Sequence, residues 1–321
     1  MGARYPFPSS PDGWFCIGAT EDLVGGDVRS VSYLGRELVV FRGDQGRVRV
    51  FDAHCPHLGA NLGVGGRVCG DGITCPFHAW RFDGDGRLVE VPGLDRPPRA
   101  AARAWTVREC NGRIFVWHHA EDAPPSYEVI AYRADETEWT PWRSNRYRVR
   151  VHVQDLTENI IDRSHFAAVH DMAAPDAEQF DVRFSGASMI VDQTLEVTAV
   201  SEAGFEVRTR TTTCGPGIVA VEVHQDPIEM LTYITQTPID EELTEVSLHF
   251  SMKRLADAGA TESIAELNDR ITNLQFTQDV PIWENKIYRD RPIITQMDGP
   301  VTQYRRWFRQ FYSVGSGADR G

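Results

Sequence analysis

Cys55-Pro-His57 and Cys75-Pro-Phe-His78 each put one thiol and one imidazole on a short stretch of chain, with residues 58–74 between them. Two soft sulfur donors and two nitrogen donors suit either zinc or a [2Fe–2S] cluster. Paired zinc ligands usually come as two cysteines and then two histidines, so that like ligands share a loop. Here each loop is mixed. Mixed loops, one on each side of a cluster, can give both sulfurs to one iron and both imidazoles to the other.

A second set lies further on, in Glu158-Asn-Ile-Ile-Asp162-Arg-Ser-His165-Phe-Ala-Ala-Val-His170. Two histidines and one carboxylate form the facial triad that binds non-haem Fe(II) and leaves positions open for O₂. On an ideal helix the i, i+5 spacing turns His165 and His170 about 140° apart. Both reach one metal only if the helix bends, widens or ends between them, which places a distortion at Phe166 to Val169. Asp162 stands one turn before His165, where its carboxylate can accept the other ring N–H of that histidine. The third ligand must come from a distant acid, and Asp279, Glu284 and Asp290 are on offer. Asp279 follows an apolar stripe of Ile264, Leu267, Ile271 and Leu274 on a helix expected from about Thr261 to Lys286. Pro281 is expected to disturb that helix beside the site. Asp279 is therefore the first choice and Glu284 the second.

With Leu58-Gly-Ala60 after the first loop, Ala79-Trp-Arg-Phe82 after the second, and D-x-x-H-x-x-x-x-H at 162–170, the sequence resembles the Rieske non-haem iron oxygenases. The closing words, Ile282-Trp-Glu-Asn-Lys-Ile-Tyr288, Arg291-Pro292, Asp298-Gly-Pro300 and Tyr304 to Tyr312, look like the ends of 3-ketosteroid 9α-hydroxylase oxygenase components and sterol 7-desaturase-type enzymes. The respiratory-chain relatives carry an extra cysteine in each ligand loop. The equivalent places here are Ala60 and Phe77, which no disulfide can join, so a low-potential oxygenase-type cluster is expected.

The resemblance implies a cluster on Cys55, His57, Cys75 and His78, and mononuclear Fe(II) on His165, His170 and Asp279. It implies O₂ as co-substrate, with NAD(P)H electrons arriving through a separate flavin-dependent reductase, a ferredoxin, or both. It implies that Asp162 bridges to a cluster histidine of a neighbouring chain, His78 before His57, within a head-to-tail homotrimer. The expected reaction is hydroxylation of a C–H bond in a small hydrophobic, steroid-like polycyclic substrate. Desaturation, O-demethylation and aromatic dioxygenation are the alternatives on the same scaffold. The rival from another class is a Rieske electron-transfer protein fused to an inert ligand-binding domain, and the His165/His170 pair weighs against it.

Positioning these groups calls for two domains, an α+β chain in all. Residues 1–13 read as an extended arm. From Trp14 the chain reads as all-β, with runs such as Glu37-Leu-Val-Val-Phe41, Val48-Arg-Val-Phe51 and Arg113-Ile-Phe-Val-Trp117 separated by glycine turns and Asp83-Gly-Asp-Gly86. This Rieske-like domain is expected over 1–119, with a linker at 120–127 where consecutive prolines stand. A catalytic, helix-grip-like domain is expected over 128–321. It opens with a strand at Tyr147–Val153 and a helix at Asp155–Val169. Strands follow at Ser188–Val191, Thr194–Val200, Phe205–Thr209, Ile218–Val223, Met230–Thr235 and Glu245–Phe250. The long helix against this bent antiparallel sheet would enclose a pocket lined by residues 180–250.

Composition narrows the classes. The chain has 321 residues and a net charge of −13, which argues against nucleic acid as a partner. The first 120 residues hold 14 arginines against 13 acids, so the negative charge sits in the remainder, at −14. A near-neutral, arginine-bearing first third can dock an acidic electron carrier, although a plain solvated surface fits equally well. No apolar run is long enough for a membrane helix, and no signal core opens the chain. Six cysteines, two of them assigned to metal, make no disulfide framework and suggest a cytoplasmic setting.

Overall fold

The computed structural model describes residues 4–132, 136–197 and 205–313. The chain divides into two compact units, Trp14–Val129 and a second formed by Ile130–Gly321 together with Met1–Gly13.

The first unit contains small antiparallel sheets. β1 (Gly13–Ala19), β10 (Arg113–His118) and β9 (Val107–Cys110) form one, in the order β1-β10-β9. β2 (Val28–Tyr33), β3 (Arg36–Arg42) and β4 (Val48–Asp52) form a meander. β5 (Arg67–Cys69), β6 (Gly72–Thr74), β7 (Arg81–Phe82) and β8 (Leu88–Glu90) form another. The runs rich in Val, Ile and Phe become strands because they can alternate into a shared core. Val39, Phe41, Phe51, Leu62, Ile73 and Phe82 fill that core, and Cys55 and Cys75 are buried in it. The turn at 83–86 forms as expected. The Asp83 carboxylate accepts from the backbone N–H of Asp85 and of Arg87, which closes the loop between β7 and β8.

The second unit is built on one seven-stranded antiparallel sheet. Its strands are β11 (Arg143–Arg150), β12 (Phe180–Ser185), β13 (Ser188–Val197), β14 (Phe205–Thr213), β15 (Ile218–Gln225), β16 (Ile228–Pro238) and β17 (Leu243–Met252), in the order β11-β17-β16-β15-β14-β13-β12. The first strand starts and ends earlier than the sequence suggested, since His152 already caps the next helix. The two short strands expected at 188–200 are one continuous strand to Val197. Residues 198–200 and the glycine-rich tail from 315 lie outside the described residues. β12 was not anticipated. Its alternation of half-buried and exposed residues is that of an edge strand with little core to mark it.

Helices occupy one face. α1 (Val153–Glu158) and α2 (His165–Val169) replace the single helix expected over 155–169. A 3₁₀ turn at Asn159–Ile161 ends α1, and the chain is extended at Asp162. The Asp162 carboxylate accepts from the backbone N–H and the hydroxyl of Ser164, each at 3.0 Å. Short polar side chains offer the backbone such bonds in place of helix, and here they win. α3 (Ala258–Asn285) is opened by Asp257, whose carboxylate accepts from the backbone N–H of Gly259 and Ala260. It runs through Pro281 without a break, contrary to expectation. The expected apolar stripe is also rotated: Leu274 is exposed, and the buried positions are Thr261, Ala265, Asp279 and Trp283. The helix meets the polar edge strand β11, where Asn145 donates to Asp269 and Tyr147 to Asn273, so polar residues take part of the inner face.

Residues 4–12 are a clamp more than a free arm. Arg4 donates to the carbonyls of Trp283 and Lys286 at the end of α3 and to that of Arg150. Those helix-end carbonyls have no partner inside the helix. Tyr5 and Phe7 pack with His152, and Phe7 also meets Tyr288 and Tyr312. α4 (Val301–Phe308) completes the unit, with Tyr304 and Phe308 fully buried. No helix among the described residues is long and apolar enough to cross a membrane.

Candidate active site

The two cysteine–histidine loops share one backbone frame. In the first, the Gly59 N–H donates to the Cys55 carbonyl and the Cys55 N–H to the Ala60 carbonyl. In the second, the Ala79 N–H donates to the Cys75 carbonyl and the Cys75 N–H to the Trp80 carbonyl. Gly59 and Ala79 both adopt positive φ, 75° and 55°. Each cysteine is buried and each histidine exposed. The His57 and His78 rings lie 4.8 Å apart between centroids, and His57 stacks on Trp80 at 4.1 Å. Burial pushes the Cys55 thiol above its ordinary pKa, and the neighbouring Cys75 sulfur adds to this. The backbone N–H groups of His57 and Leu58 pull the other way. Two buried sulfurs facing each other and two exposed, adjacent imidazoles fit a [2Fe–2S] cluster with its nitrogen-ligated iron toward solvent.

The second set converges within its own unit. The donor atoms of His165, His170 and Asp279 all lie within 4.8 Å of one another. Among the described residues no other group of three or more His, Cys, Asp or Glu comes together in this way. His165 opens α2 and His170 caps its end, so the helix runs unbroken between them; the distortion expected at Phe166 to Val169 is not there, and the break falls earlier, at Asp162–Ser164. The Nδ1–H of His165 donates to the backbone carbonyl of Asp162 at 2.7 Å, not to its carboxylate as the spacing suggested. The Asp162 side chain is turned to Ser164 instead. The Nδ1–H of His170 donates to Gln278 Oε1 at 3.0 Å. Both bonds fix the tautomer that leaves the Nε2 lone pair available to a metal. Asn159 donates to His165 Nε2 at 3.3 Å and to Asp279 Oδ2 at 3.2 Å.

Burial sets the electrostatics. It raises the Asp279 carboxyl to about 6, against the lowering pull of His170 and Asn159. It lowers His165, against the raising influence of Asp162. A buried carboxyl beside two imidazoles is the donor set a divalent iron would complete. Glu284 and Asp290 are elsewhere: Glu284 accepts from the Arg150 backbone N–H and Asp290 is exposed. Sequence reading passed over Asn159 and Gln278, since a helical Asn or Gln beside a ligand carries no signal that separates it from a surface residue.

These donors open on a cavity of about 270 Å³ between the helices and the sheet. Its walls include Leu156, Phe166, Val219, Ile234, Leu248 and Trp283.

A family profile for the Rieske [2Fe-2S] domain matches residues 13–109, and one for the 3-ketosteroid 9alpha-hydroxylase C-terminal domain matches residues 116–312. The chain belongs to the Rieske non-haem iron oxygenases. The 3-ketosteroid-9-alpha-monooxygenase oxygenase component of Rhodococcus rhodochrous is 33% identical to this oxygenase, over 94% of this chain and 80% of that protein. Cholesterol 7-desaturase nvd of Bombyx mori is 32% identical, over 98% and 72%. The crystal structure of dicamba monooxygenase bound to dicamba shares the fold at a TM-score of 0.72 and 18% identity, covering 94% of this chain and 97% of that one. Pseudomonas putida CBB5 NdmA with caffeine does so at 0.72 and 21%, covering 92% and 89%. As an oxygenase component of this family, the protein uses a [2Fe–2S] cluster, mononuclear iron and O₂, with NAD(P)H electrons passed on by separate partner proteins. The electron-transfer reading is set aside, because the relatives' similarity runs through both halves of the chain.

Proposed function

We propose that this oxygenase hydroxylates a C–H bond of a hydrophobic, steroid-like polycyclic substrate, with Cys55, His57, Cys75 and His78 holding the cluster and His165, His170 and Asp279 holding the iron. The observation that carries the reading is the convergence of three donor atoms within 4.8 Å at the wall of an apolar cavity. Iron bound there, supplied with electrons from the cluster, would provide O₂ activation for attack on an unactivated C–H bond.

The protein's part is positioning and exclusion. The Asp162 carbonyl and Gln278 hold the two imidazoles by their Nδ1–H groups, so that both Nε2 atoms point at one place. Asn159 orients the Asp279 carboxylate. The His170 and Asp279 side chains are only 5% and 9% exposed, so water reaches the site through the cavity alone or hardly at all. An apolar substrate filling the cavity removes that water and holds one C–H bond against the iron site. Rigid rings suit the aliphatic walls, and the 3-ketosteroid 9alpha-hydroxylase profile over the C-terminal half favours hydroxylation over the family's other outcomes.

In the same reading, Asp162 would link the iron-binding histidines to a cluster-binding histidine of a neighbouring chain, His78 before His57, in a head-to-tail homotrimer, a closed heterologous ring. Asp279→Ala should lower mononuclear iron to a small fraction per chain while the cluster's visible absorbance stays. Full iron occupancy in that variant would remove Asp279 from the ligand set. Product analysis with a panel of steroids, with and without ring unsaturation, tests the reaction. A desaturated product with no hydroxylated one would overturn the hydroxylase assignment.

A further inference from the structure

Two polar side chains lining the cavity each carry an oxygen with no hydrogen-bond partner among the described residues. Gln193 on β13 and Thr209 on β14 are directly paired across the strands and face the same side. Thr209 is only 8% exposed, and neither its Oγ nor the Oε1 of Gln193 is bonded to any described group. Three other polar side chains lining the cavity are engaged. Gln236 donates to Thr157 and to the Pro216 carbonyl, Gln275 to the Met172 sulfur, and Thr272 accepts from Asn268. A buried polar group left unbonded costs about 1–3 kcal/mol, which a ligand can recover.

The pair lies away from the metal-binding donors. α1 packs on β16 and α3 on β11 and β17, whereas β14 and β13 are two and three strands beyond β16. At about 4.8 Å per strand this is on the order of 10–14 Å across the sheet, within one cavity. We infer that Gln193 and Thr209 form a recognition site for an oxygen substituent, hydroxyl or ketone, at the far end of the substrate's rigid skeleton. A hydroxyl donates to Gln193 Oε1 and accepts from the Thr209 O–H. A ketone oxygen accepts from the Thr209 O–H and, with the amide turned over, from the Gln193 Nε2–H. Either makes bonds that a bare hydrocarbon leaves unmade. Anchoring that end fixes which carbon stands at the iron site. The inference rests on reading the cavity as the substrate site.

The test is equilibrium binding to the holoprotein without reductant, read by quenching of tryptophan fluorescence, since Trp283 lines the cavity. The ligands are 5α-androstan-3β-ol, 5α-androstan-3-one and 5α-androstane. The alcohol and the ketone should each bind about tenfold tighter than the bare hydrocarbon. Gln193→Leu and Thr209→Val should each remove most of that preference and leave the hydrocarbon's affinity unchanged, whereas Thr209→Ser should keep it. Binding of the hydrocarbon shows that a variant is folded. If one fails to bind it, the wild-type order still decides. Equal affinity for all three would overturn the polar site and leave the cavity reading intact. Failure of the wild type to bind any of the three would overturn the cavity reading, and this proposal with it.

Discussion

Ala79 and Gly59 hold the same place in two loops of the same shape, yet only one carries a β-carbon. Both adopt a left-handed conformation, which for a residue with a β-carbon costs about 1–2 kcal/mol. Nothing lies within 4 Å of where a β-carbon on Gly59 would stand, so the cost there is one of backbone alone. Gly59→Ala should therefore destabilise the first unit by about 1 kcal/mol. Ala79→Gly should stabilise it by about 0.5 kcal/mol after the extra entropy of the unfolded chain is deducted. Thermal unfolding of the cluster-loaded protein, followed by visible absorbance, measures both. At this scale the donors were legible because their chemistry restricts them to Cys, His and Asp in a fixed order. The partners that aim them were not. A main-chain carbonyl from Asp162 and an amide from Gln278 do the aiming, and a backbone atom has no letter of its own.

At the scale of elements, α1 is gripped from several directions. The Tyr304 hydroxyl donates to the Gln154 carbonyl and that of Tyr312 to the Gln154 side chain. Arg305 pairs with Glu158 through two hydrogen bonds, both side chains being largely buried. Removing one partner of such a pair costs about 3–5 kcal/mol, so Arg305→Met should lower stability by that order in urea titrations. His152 caps α1 by accepting from the Gln154 N–H, and its Nε2–H donates to the Pro8 carbonyl. Burial lowers its pKa from 6.5 to about 4. The folded protein thus holds this ring neutral where the unfolded chain would protonate it. Its contribution is complete above about pH 6.5 and is lost as pH falls toward 4, about 3 kcal/mol in all. His152→Asn keeps a cap and should flatten the acid limb of the stability profile by that amount, as unfolding at a series of pH values would show. Strand runs could be read from alternation, and α3 from its length. Its buried face could not, because the β11 residues it meets are polar, and the break before His165 is made by the side chains of Asp162 and Ser164.

For the whole molecule, the proposed ring makes a prediction that no single chain can. His78→Ala and His165→Ala should each abolish turnover. Mixed and reassembled, they should regain a substantial share of it, because an intact cluster on one chain then serves an intact iron site on its neighbour. Absence of any recovery in mixed assemblies would put electron transfer inside one chain. Asp162→Asn, which keeps an acceptor for Ser164, should leave metal content unchanged and slow turnover sharply.

The clamp made by residues 4–12 also bears on how the polypeptide acquires its shape during synthesis. Those residues leave the ribosome well ahead of two of the sites that receive them, the carbonyls of Lys286 and Trp283, which follow 282 and 279 residues later, and the ring of Tyr312 comes later still. The iron-binding half is therefore topologically closed only once Tyr312 has emerged, while the segment between can fold on its way out. Until then the leading segment is unanchored, so a chain that stops short of Trp283 deprives the catalytic half of its clamp while the cluster half, Trp14–Val129, is whole.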